Sequence, residues 1–248
     1  MLRALHQVRR GALKRTPARA PGSGTSRDPQ ISAYLRDHNV RCLQIGAGDK
    51  HIEGWLSTDL NPRDSDTIFL DATKPFPFPD QCLDFVFGEH LIEHVSWWGG
   101  QRLLRECRRV LRPGGVLRLA TPDTARLIDL YRGEAGGEGE HYLHWHHDRF
   151  TPRMRSHPLV VLNHTMRAWG HSFLYDADLL RSALSDAGFV QITQCEMDES
   201  RHLGLRGVEQ HHRGGGRARE RAVRFETMCF EATAPPTGAP PEHAARGV

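Results

Sequence analysis

Short hydrophobic runs alternate with longer amphipathic stretches along most of the chain. Short apolar runs bounded by glycine, proline and charged residues are typical of β-strands. The segment RLLRECRRVLR, residues 102–112, has instead the pattern of a basic helix, and it ends at a Pro-Gly-Gly turn. Strands are predicted near residues 41–45, 56–60, 67–70, 83–88, 115–121, 190–196 and 224–232. This alternation of strands and helices predicts an α/β fold.

A nucleotide pocket is predicted where the first two strands end. Residues 43–60, LQIGAGDKHIEGWLSTDL, place two glycines after the first strand and an aspartate at the end of the second. Gly46 and Gly48 fall where the backbone must turn sharply under a ligand, and Asp59 is placed to accept hydrogen bonds from both hydroxyls of a ribose. A tight turn in any α/β domain gives the same pattern, so alone it is a weak signal.

The pattern departs from the dinucleotide fingerprint GxGxxG. His51 stands where the third glycine would be, and the acid follows after a short interval instead of roughly 20 residues. A pyrophosphate is therefore disfavoured, and a nucleoside without a diphosphate, such as S-adenosylmethionine, fits better. Asp71 and Ala72 follow the third predicted strand and supply an adenine slot, in which Asp71 accepts from the amino group.

Four segments in order, LQIGAGD, STDL, LDATKPFPFPDQCLDFVFGEHLIEHV and LRPGGVLRLATPD, resemble the motifs of class I S-adenosylmethionine-dependent methyltransferases. Two later segments, NHTMRAWGHSFLYDADLL and RFETMCFEA, resemble more narrowly a group of predicted bacterial methyltransferases associated with surface-polysaccharide and glycan biosynthesis genes. The resemblance covers about residues 31–234. It implies S-adenosylmethionine as the cofactor and leaves the acceptor open.

We therefore expect a Rossmann-like sheet of seven strands, mostly parallel with an antiparallel last strand, and helices on both faces. A lid insertion is expected near residues 132–175. Residues 31–234 would form the domain, between a basic arm (1–30) and a disordered tail (235–248). The predicted cofactor contacts are Gly46, Gly48, Asp59, Asp71, Ala72, Gly88 and Glu89, the last two beside the methionine or methyl end.

Candidate acceptor residues lie in the loop NHTMRAWGHSFLYD, which precedes a helix that begins after Asp176 and ends near Gly188. A sugar hydroxyl must lose its proton as it attacks a methyl group, and histidine is the natural base near neutral pH. We predict His171 as the first candidate base and His90 as the second. Trp169 is a candidate stacking platform for a sugar ring, and Asn163 and Tyr175 are candidate substrate contacts. For Trp169 and Tyr175 the alternative is that they only anchor the loop on the core.

Two further groups of histidines could be considered as metal ligands. Residues 90–94, HLIEH, match the zinc motif HxxEH, but the segment runs directly off a predicted strand, so the two histidines would not share a helix face. We reject this zinc motif and predict no metal site. Four more histidines cluster at residues 141–147, where a solvated loop, acceptor binding and metal binding remain open.

Length and composition limit the remaining classes. The 248 residues suffice for one α/β domain with a lid, and no apolar run approaches the ~20 residues that span a bilayer. Five scattered cysteines without a CxxC pair favour a reducing cytoplasm. Residues 1–27 carry 7 basic residues and no acid, which fits a transit segment, an interfacial helix on anionic lipid or a solvated tail. We expect a cytoplasmic protein. The alternative is a cytoplasmic protein whose basic arm contacts the inner face of the membrane.

The favoured function is O-methylation of a sugar or glycan-related acceptor. A small-metabolite or protein acceptor is an alternative, as is a non-catalytic S-adenosylmethionine-binding partner in a glycan assembly complex. Nucleic acid is not an expected partner, because basic residues outside the arm are interleaved with acids. Intact glycines and Asp59 argue against the non-catalytic alternative.

Overall fold

The computed structural model describes residues 28–236, so the predicted basic arm before residue 28 and nearly all of the predicted tail lie outside the described residues. The strands are β1 Cys42–Ile45, β2 Leu56–Asp59, β3 Thr67–Phe69, β4 Leu83–Glu89, β5 Leu111–Pro122, β6 Val190–Cys195 and β7 Thr227–Thr233. The helices are α1 Pro29–Asp37, α2 Trp97–Val110, α3 Thr124–Arg132, α4 Gly136–Phe150, α5 Pro158–Arg167, α6 Ala177–Asp186 and α7 Gly216–Glu226, with 3-10 turns at Ile92–His94 and Leu203–Leu205.

One seven-stranded sheet organises these elements, in the order β3-β2-β1-β4-β5-β7-β6. Four strand pairs are parallel, namely β3–β2, β2–β1, β1–β4 and β4–β5. Strand β7 runs antiparallel to both β5 and β6. All four residues of β1 are buried, as is typical of a central strand covered on both faces. The predicted Rossmann-like fold with an antiparallel last strand is confirmed.

Helix α6 begins and ends as its sequence predicts. The Asp176 side chain accepts from the Leu179 amide at 2.8 Å, which caps the helix. Gly188 follows the helix with a φ of 87°, a left-handed conformation that glycine adopts without strain. The helix packs its buried face, Leu180, Ala183 and Leu184, onto the main core.

The lid region is more helical than its sequence suggests. The histidine-rich stretch lies in α4, and the Arg-rich segment after the triple glycine forms α7. The last strand consequently begins at Thr227 and not at 224. The reason is a small second core shared by four helices, whose buried members are Leu127, Leu130, Tyr142, Val161, Ala222 and Phe225.

A fully buried arginine fixes the segment that precedes α7. Arg118, in the middle of β5, is 0% exposed and donates to the carboxylates of Glu209 at 2.5 Å and Glu231 at 2.6 Å. It also donates to the backbone carbonyls of Glu196 and Glu199 at 3.0 and 2.9 Å. The second Glu209 oxygen accepts from the Asp198 amide at 2.9 Å. This network holds residues 196–209 against the sheet.

Among residues 28–236, no helix has the length and apolar character needed to cross a bilayer.

Candidate cofactor and acceptor site

A cavity of about 530 Å³ opens at the carboxyl ends of β1 and β4. This is the edge where parallel α/β sheets bind ligands. Its strand side comprises the glycine loop, Gly46 to Lys50, together with Glu89 and His90. Its lid side carries residues from α4, α5 and α7 and from the loops beside them, namely Trp145, Arg149, Phe150, Thr165, Trp169, His171, His211, Arg219, Val223 and Glu226.

The glycine loop exposes backbone to this cavity. Gly46 and Gly48 have φ values of 73° and 60°, and a side chain built at Gly48 would meet no protein atom within 4 Å. The amides of Gly46 and Ala47 donate to the Thr58 carbonyl at 2.8 and 3.0 Å, which ties the loop to β2. The loop therefore offers a ligand close approach to its backbone, as predicted from the two glycines.

Asp59 lies beside the loop but does not line the cavity. Its Oδ2 accepts from the Gly48 amide at 2.9 Å and its Oδ1 from the Asn61 amide at 2.7 Å. Each carboxylate oxygen has two lone pairs, so each retains one for a ligand hydroxyl. The carboxylate thus braces the glycine loop, and its contact with a ribose stays a prediction.

The other predicted cofactor residues on the sheet also lie outside the cavity lining. Asp71 uses Oδ1 to accept from the amide and hydroxyl of Thr73 at 2.9 and 2.6 Å, while its Oδ2 makes no hydrogen bond within residues 28–236. Ala72 is buried in the main core. Gly88 is buried, and a side chain there would press on Leu119 and Leu91 at 3.3 and 3.4 Å. Their roles stay predictions.

Glu89 lines the cavity and clamps the loop that precedes α7. Its two oxygens accept from the consecutive amides of Gln210 and His211 at 2.8 and 2.9 Å. Lys50 adds a third tie by donating to the Gln210 carbonyl at 2.8 Å, and Arg219 donates twice to the His211 carbonyl. Residues 209–213 therefore close over the cavity next to the glycine loop.

His90 forms a buried pair with Glu93. It adopts a φ of 47°, which is uncommon outside glycine, and Nδ1 donates to Glu93 Oε1 at 3.0 Å. Glu93 is 0% exposed, and its Oε2 accepts from the Thr121 hydroxyl at 2.9 Å. Burial lowers the pKa of His90, but the Glu93 hydrogen bond and the charges of Glu93, Glu226 and Glu89 outweigh it and raise the pKa above 6.5.

His211 lies against His90, with ring centroids 4.3 Å apart. Burial, reinforced by the charges of His90, Lys50 and Arg219, lowers the pKa of His211 to about 3. His211 is therefore neutral at physiological pH, while its partner His90 carries the higher affinity for a proton.

His171 has a fixed tautomer. Its Nδ1 lies 2.6 Å from the carbonyl oxygen of Thr165, which can only accept, so Nδ1 carries the proton and Nε2 the lone pair. Burial lowers the pKa of His171 below 6.5. The imidazole is consequently neutral at pH 7, with Nε2 as its open nitrogen.

Aromatic side chains form the outer wall of the cavity. Trp169 is 48% exposed, has a φ of 54° and meets Phe150 and His164 edge-on, with ring centroids 5.0 and 4.7 Å apart. A bulky residue in this conformation is strained and needs support from its neighbours, which these rings provide. Trp145 reaches the same cavity from α4.

Two predicted substrate residues are placed elsewhere. Asn163 is exposed on α5 and donates to the Leu159 carbonyl of its own helix at 2.9 Å. Tyr175 is fully buried against Trp97 and Phe173, and its carbonyl accepts from the amide and hydroxyl of Thr124. Neither lines the cavity, whereas Trp169, His171 and His90 do.

Several cavity residues were not singled out from sequence. His94 lies inside the HLIEH segment, and Trp145 stands in the histidine-rich stretch, so both carried a usable signal. Asp49 and Lys50 simply extend the glycine loop. Arg149, Phe150, Arg219 and Glu226 carried none, because they belong to helices whose orientation depends on the second core.

The part of the chain that contains the glycine loop resembles known methyltransferases. Residues 30–119 match the family model described as a methyltransferase domain. A probable S-adenosylmethionine-dependent methyltransferase of Mycobacterium tuberculosis is 30% identical over 138 residues, which are 56% of this chain and 37% of that protein. Residues 30–119 thus match a methyltransferase domain, and the Mycobacterium tuberculosis relative that shares part of the chain is described as a probable S-adenosylmethionine-dependent methyltransferase. These matches support an enzyme that uses S-adenosylmethionine as its cofactor.

Other similar proteins match either over a shorter stretch or at a lower identity. A probable methyltransferase of Arabidopsis thaliana is 35% identical over 81 residues, which are 33% of this chain and 13% of that protein. A solved S-adenosylmethionine-dependent methyltransferase of Mesorhizobium loti has a TM-score of 0.46 at 17% identity, over 81% of this chain and 96% of that chain. A Thermotoga maritima structure, described as a possible histamine N-methyltransferase, has a TM-score of 0.46 at 15% identity, over 82% of this chain and 89% of that chain. The present chain spans 37% of the length of its mycobacterial relatives.

The ends of the strands beside the cavity offer groups that suit S-adenosylmethionine. The open backbone at Gly48 and the unused Oδ2 of Asp71 suit a nucleoside that lies along the ends of β1 to β3. A cavity of about 530 Å³ is within the range of sites for ligands of this size. S-adenosylmethionine would supply an electrophilic methyl group when bound there.

Proposed function

We propose that this protein transfers the methyl group of S-adenosylmethionine to a hydroxyl oxygen of a sugar or glycan-related acceptor. The observation that carries the proposal is the pair of histidines in the cavity, each with Nδ1 held by an acceptor. Glu93 fixes His90, and the Thr165 carbonyl fixes His171. Both rings thereby present Nε2 as the nitrogen that can take a proton.

The reaction is an in-line displacement. The acceptor oxygen forms a bond to the methyl carbon as the carbon–sulfur bond breaks, and the electron pair leaves with sulfur as S-adenosylhomocysteine. The hydroxyl proton passes to Nε2 of a histidine. A positioned base contributes typically about 10²- to 10⁴-fold. The clamp of Glu89 holds residues 209–213 beside the cavity, where a closed loop would limit the access of water to the reaction.

The aromatic wall supports a ring-shaped acceptor. Trp145 and Trp169 line the cavity together with Phe150, and Trp169 is held in a strained backbone conformation by neighbouring rings. Indole faces suit the apolar face of a sugar ring, while nearby polar groups meet its hydroxyls. The glycan-related resemblance of residues 163–180 points the same way.

The test is turnover with defined acceptors. Purified protein is given S-adenosylmethionine with a panel of nucleotide sugars, lipid-linked oligosaccharides, small amines and peptides, and S-adenosylhomocysteine is quantified. We expect product with a sugar-containing acceptor and a loss of at least tenfold in kcat for His90→Ala or His171→Ala. His144→Ala, an exposed histidine on α4 outside the cavity, is the matched control.

Other results would reject the proposal. Turnover of amines or peptides with no sugar turnover would assign a different acceptor class. Binding of S-adenosylhomocysteine without turnover of any acceptor would favour the non-catalytic partner in a glycan assembly complex.

A further inference from the structure

The segment HLIEH contains one histidine, His94, that the proposed methyl transfer does not use. His90 is paired with Glu93, but His94 makes no side-chain hydrogen bond among residues 28–236. Instead its ring meets His171 edge-on, with centroids 4.9 Å apart. One ligand atom from each of Glu93, His94 and His171 lies within 4.8 Å of the other two. The His90–His94 pairing of an HxxEH zinc site is thus replaced by a different set of three donors.

We propose that Glu93, His94 and His171 bind a divalent first-row transition-metal ion at the acceptor end of the cavity. Two imidazoles and one carboxylate are donors that suit zinc, manganese, iron or nickel ions more than calcium or magnesium. Both histidines line the cavity, so coordination positions opposite the protein donors face a bound acceptor. The remaining two residues of HLIEH, Leu91 and Ile92, offer no ligand atom.

The groups behind these donors are already in place. Histidine ligands usually donate their second ring N–H to a carbonyl or carboxylate, which fixes the tautomer and the ring orientation. His171 does this through Nδ1 to the Thr165 carbonyl at 2.6 Å. Glu93 is held by His90 on Oε1 and by the Thr121 hydroxyl on Oε2, at 3.0 and 2.9 Å. Two of the three donors are therefore oriented before an ion arrives.

The third donor is free to adjust. Metal–nitrogen and metal–oxygen bonds of about 2.1 Å allow donors to be at most about 4.2 Å apart. The ligand atoms lie within 4.8 Å of one another, and a small rotation of one side chain would bring them within this distance. His94 is exposed and has no hydrogen bond to break within the described residues, so it can close the gap.

This inference rests on the proposed function for its use and deepens it. With an ion bound, Nε2 of His171 becomes a ligand, and Nε2 of His90 remains to accept the proton. The ion supplies Lewis acidity, which lowers the pKa of a coordinated hydroxyl and favours its attack. Acceptors with two neighbouring hydroxyl groups, as in a sugar vicinal diol, are the class that such an ion would select.

The test is metal binding without any acceptor. Mn²⁺ and Zn²⁺ are titrated into the full-length protein, and Mn²⁺ binding is followed by loss of the free-ion electron paramagnetic resonance signal. We expect one equivalent to bind to the wild type and at least tenfold weaker binding to His94→Ala. His144→Ala is the control for adventitious binding, because His144 lies one helical turn from His141 and His147 on the exposed side of α4.

S-adenosylhomocysteine is titrated into each variant as a separate reading of fold and pocket. Equal S-adenosylhomocysteine binding by all three proteins, with metal lost only in His94→Ala, supports the site. Metal binding that is absent from the wild type, or lost in His144→Ala and kept in His94→Ala, overturns it. Failure of the wild type to bind S-adenosylhomocysteine would count against the methyltransferase proposal. The metal titration would still decide on its own whether Glu93, His94 and His171 bind an ion.

Discussion

Glu89 offers the sharpest test of how the cavity is closed. Its carboxylate accepts two consecutive amides, from Gln210 and His211, at 2.8 and 2.9 Å. Hydrogen bonds to a charged group contribute about 1.5–3 kcal/mol each. Because Glu89 is half-buried, water can replace part of this, so we take the lower value for both bonds, about 3 kcal/mol in total. Glu89→Ala should lower the free energy of opening of residues 209–213 by that amount.

Hydrogen exchange of the apo protein measures this directly. A change of about 3 kcal/mol corresponds to roughly 100-fold faster exchange of the Gln210 and His211 amides, since each 1.4 kcal/mol is a factor of ten. Exchange in β1 should not change. Glu53→Ala, an exposed glutamate in the loop before β2, is the control. Unchanged exchange at residues 209–213 in Glu89→Ala would refute the clamp and return Glu89 to a direct ligand contact.

Three further predictions concern the loop, the core and pH. Gly48→Ala should lower the stability by about 1–2 kcal/mol, because φ at this position is 60°, in the left-handed region. It should also weaken S-adenosylhomocysteine binding, because the added methyl group would project into the open space beside the glycine loop; equal affinity of the variant and the wild type by calorimetry would contradict this. Arg118→Met should lower the free energy of unfolding in urea by about 3–5 kcal/mol, since Glu209 and Glu231 lose their buried partner, and a loss below about 1 kcal/mol would be inconsistent with the network. Burial and the neighbouring His164 and His147 lower the pKa of His146 to about 4, so its contribution to stability is complete above pH 6.5 and is lost as pH falls towards 4. Urea midpoints at pH 7 and 5 should therefore differ less in His146→Gln than in the wild type, and equal differences would argue against a buried neutral imidazole.

The sheet and the glycine loop could be predicted from sequence because they depend on local patterns. Short apolar runs mark the strands, and φ values above zero at Gly46 and Gly48 are positions that glycine occupies without strain. The cap at Asp176 follows the same logic, since its side chain bonds three residues ahead. These signals act within a few residues and do not require knowledge of the rest of the fold.

The lid could not be predicted in the same way. Helix α7 is rich in arginine, and its short apolar face gains stability from tertiary packing, with Ala222 and Phe225 in the second core beside Tyr142 of α4. His211 reaches the cavity because Arg118 holds Glu209 and Glu89 holds the following amides, contacts that span about 90 to 120 residues of sequence. Tyr175 illustrates the converse, since its loop is near the site while its side chain packs in the core.

The most direct test of the cofactor site is calorimetric titration of S-adenosylhomocysteine into the wild type and Asp59→Ala. Asp59 braces Gly48 and retains a lone pair on each oxygen for a ribose hydroxyl. We expect binding to the wild type that Asp59→Ala weakens by more than about 1.4 kcal/mol, a factor of ten. No binding to the folded wild type would contradict the account that this chain acts as a methyltransferase.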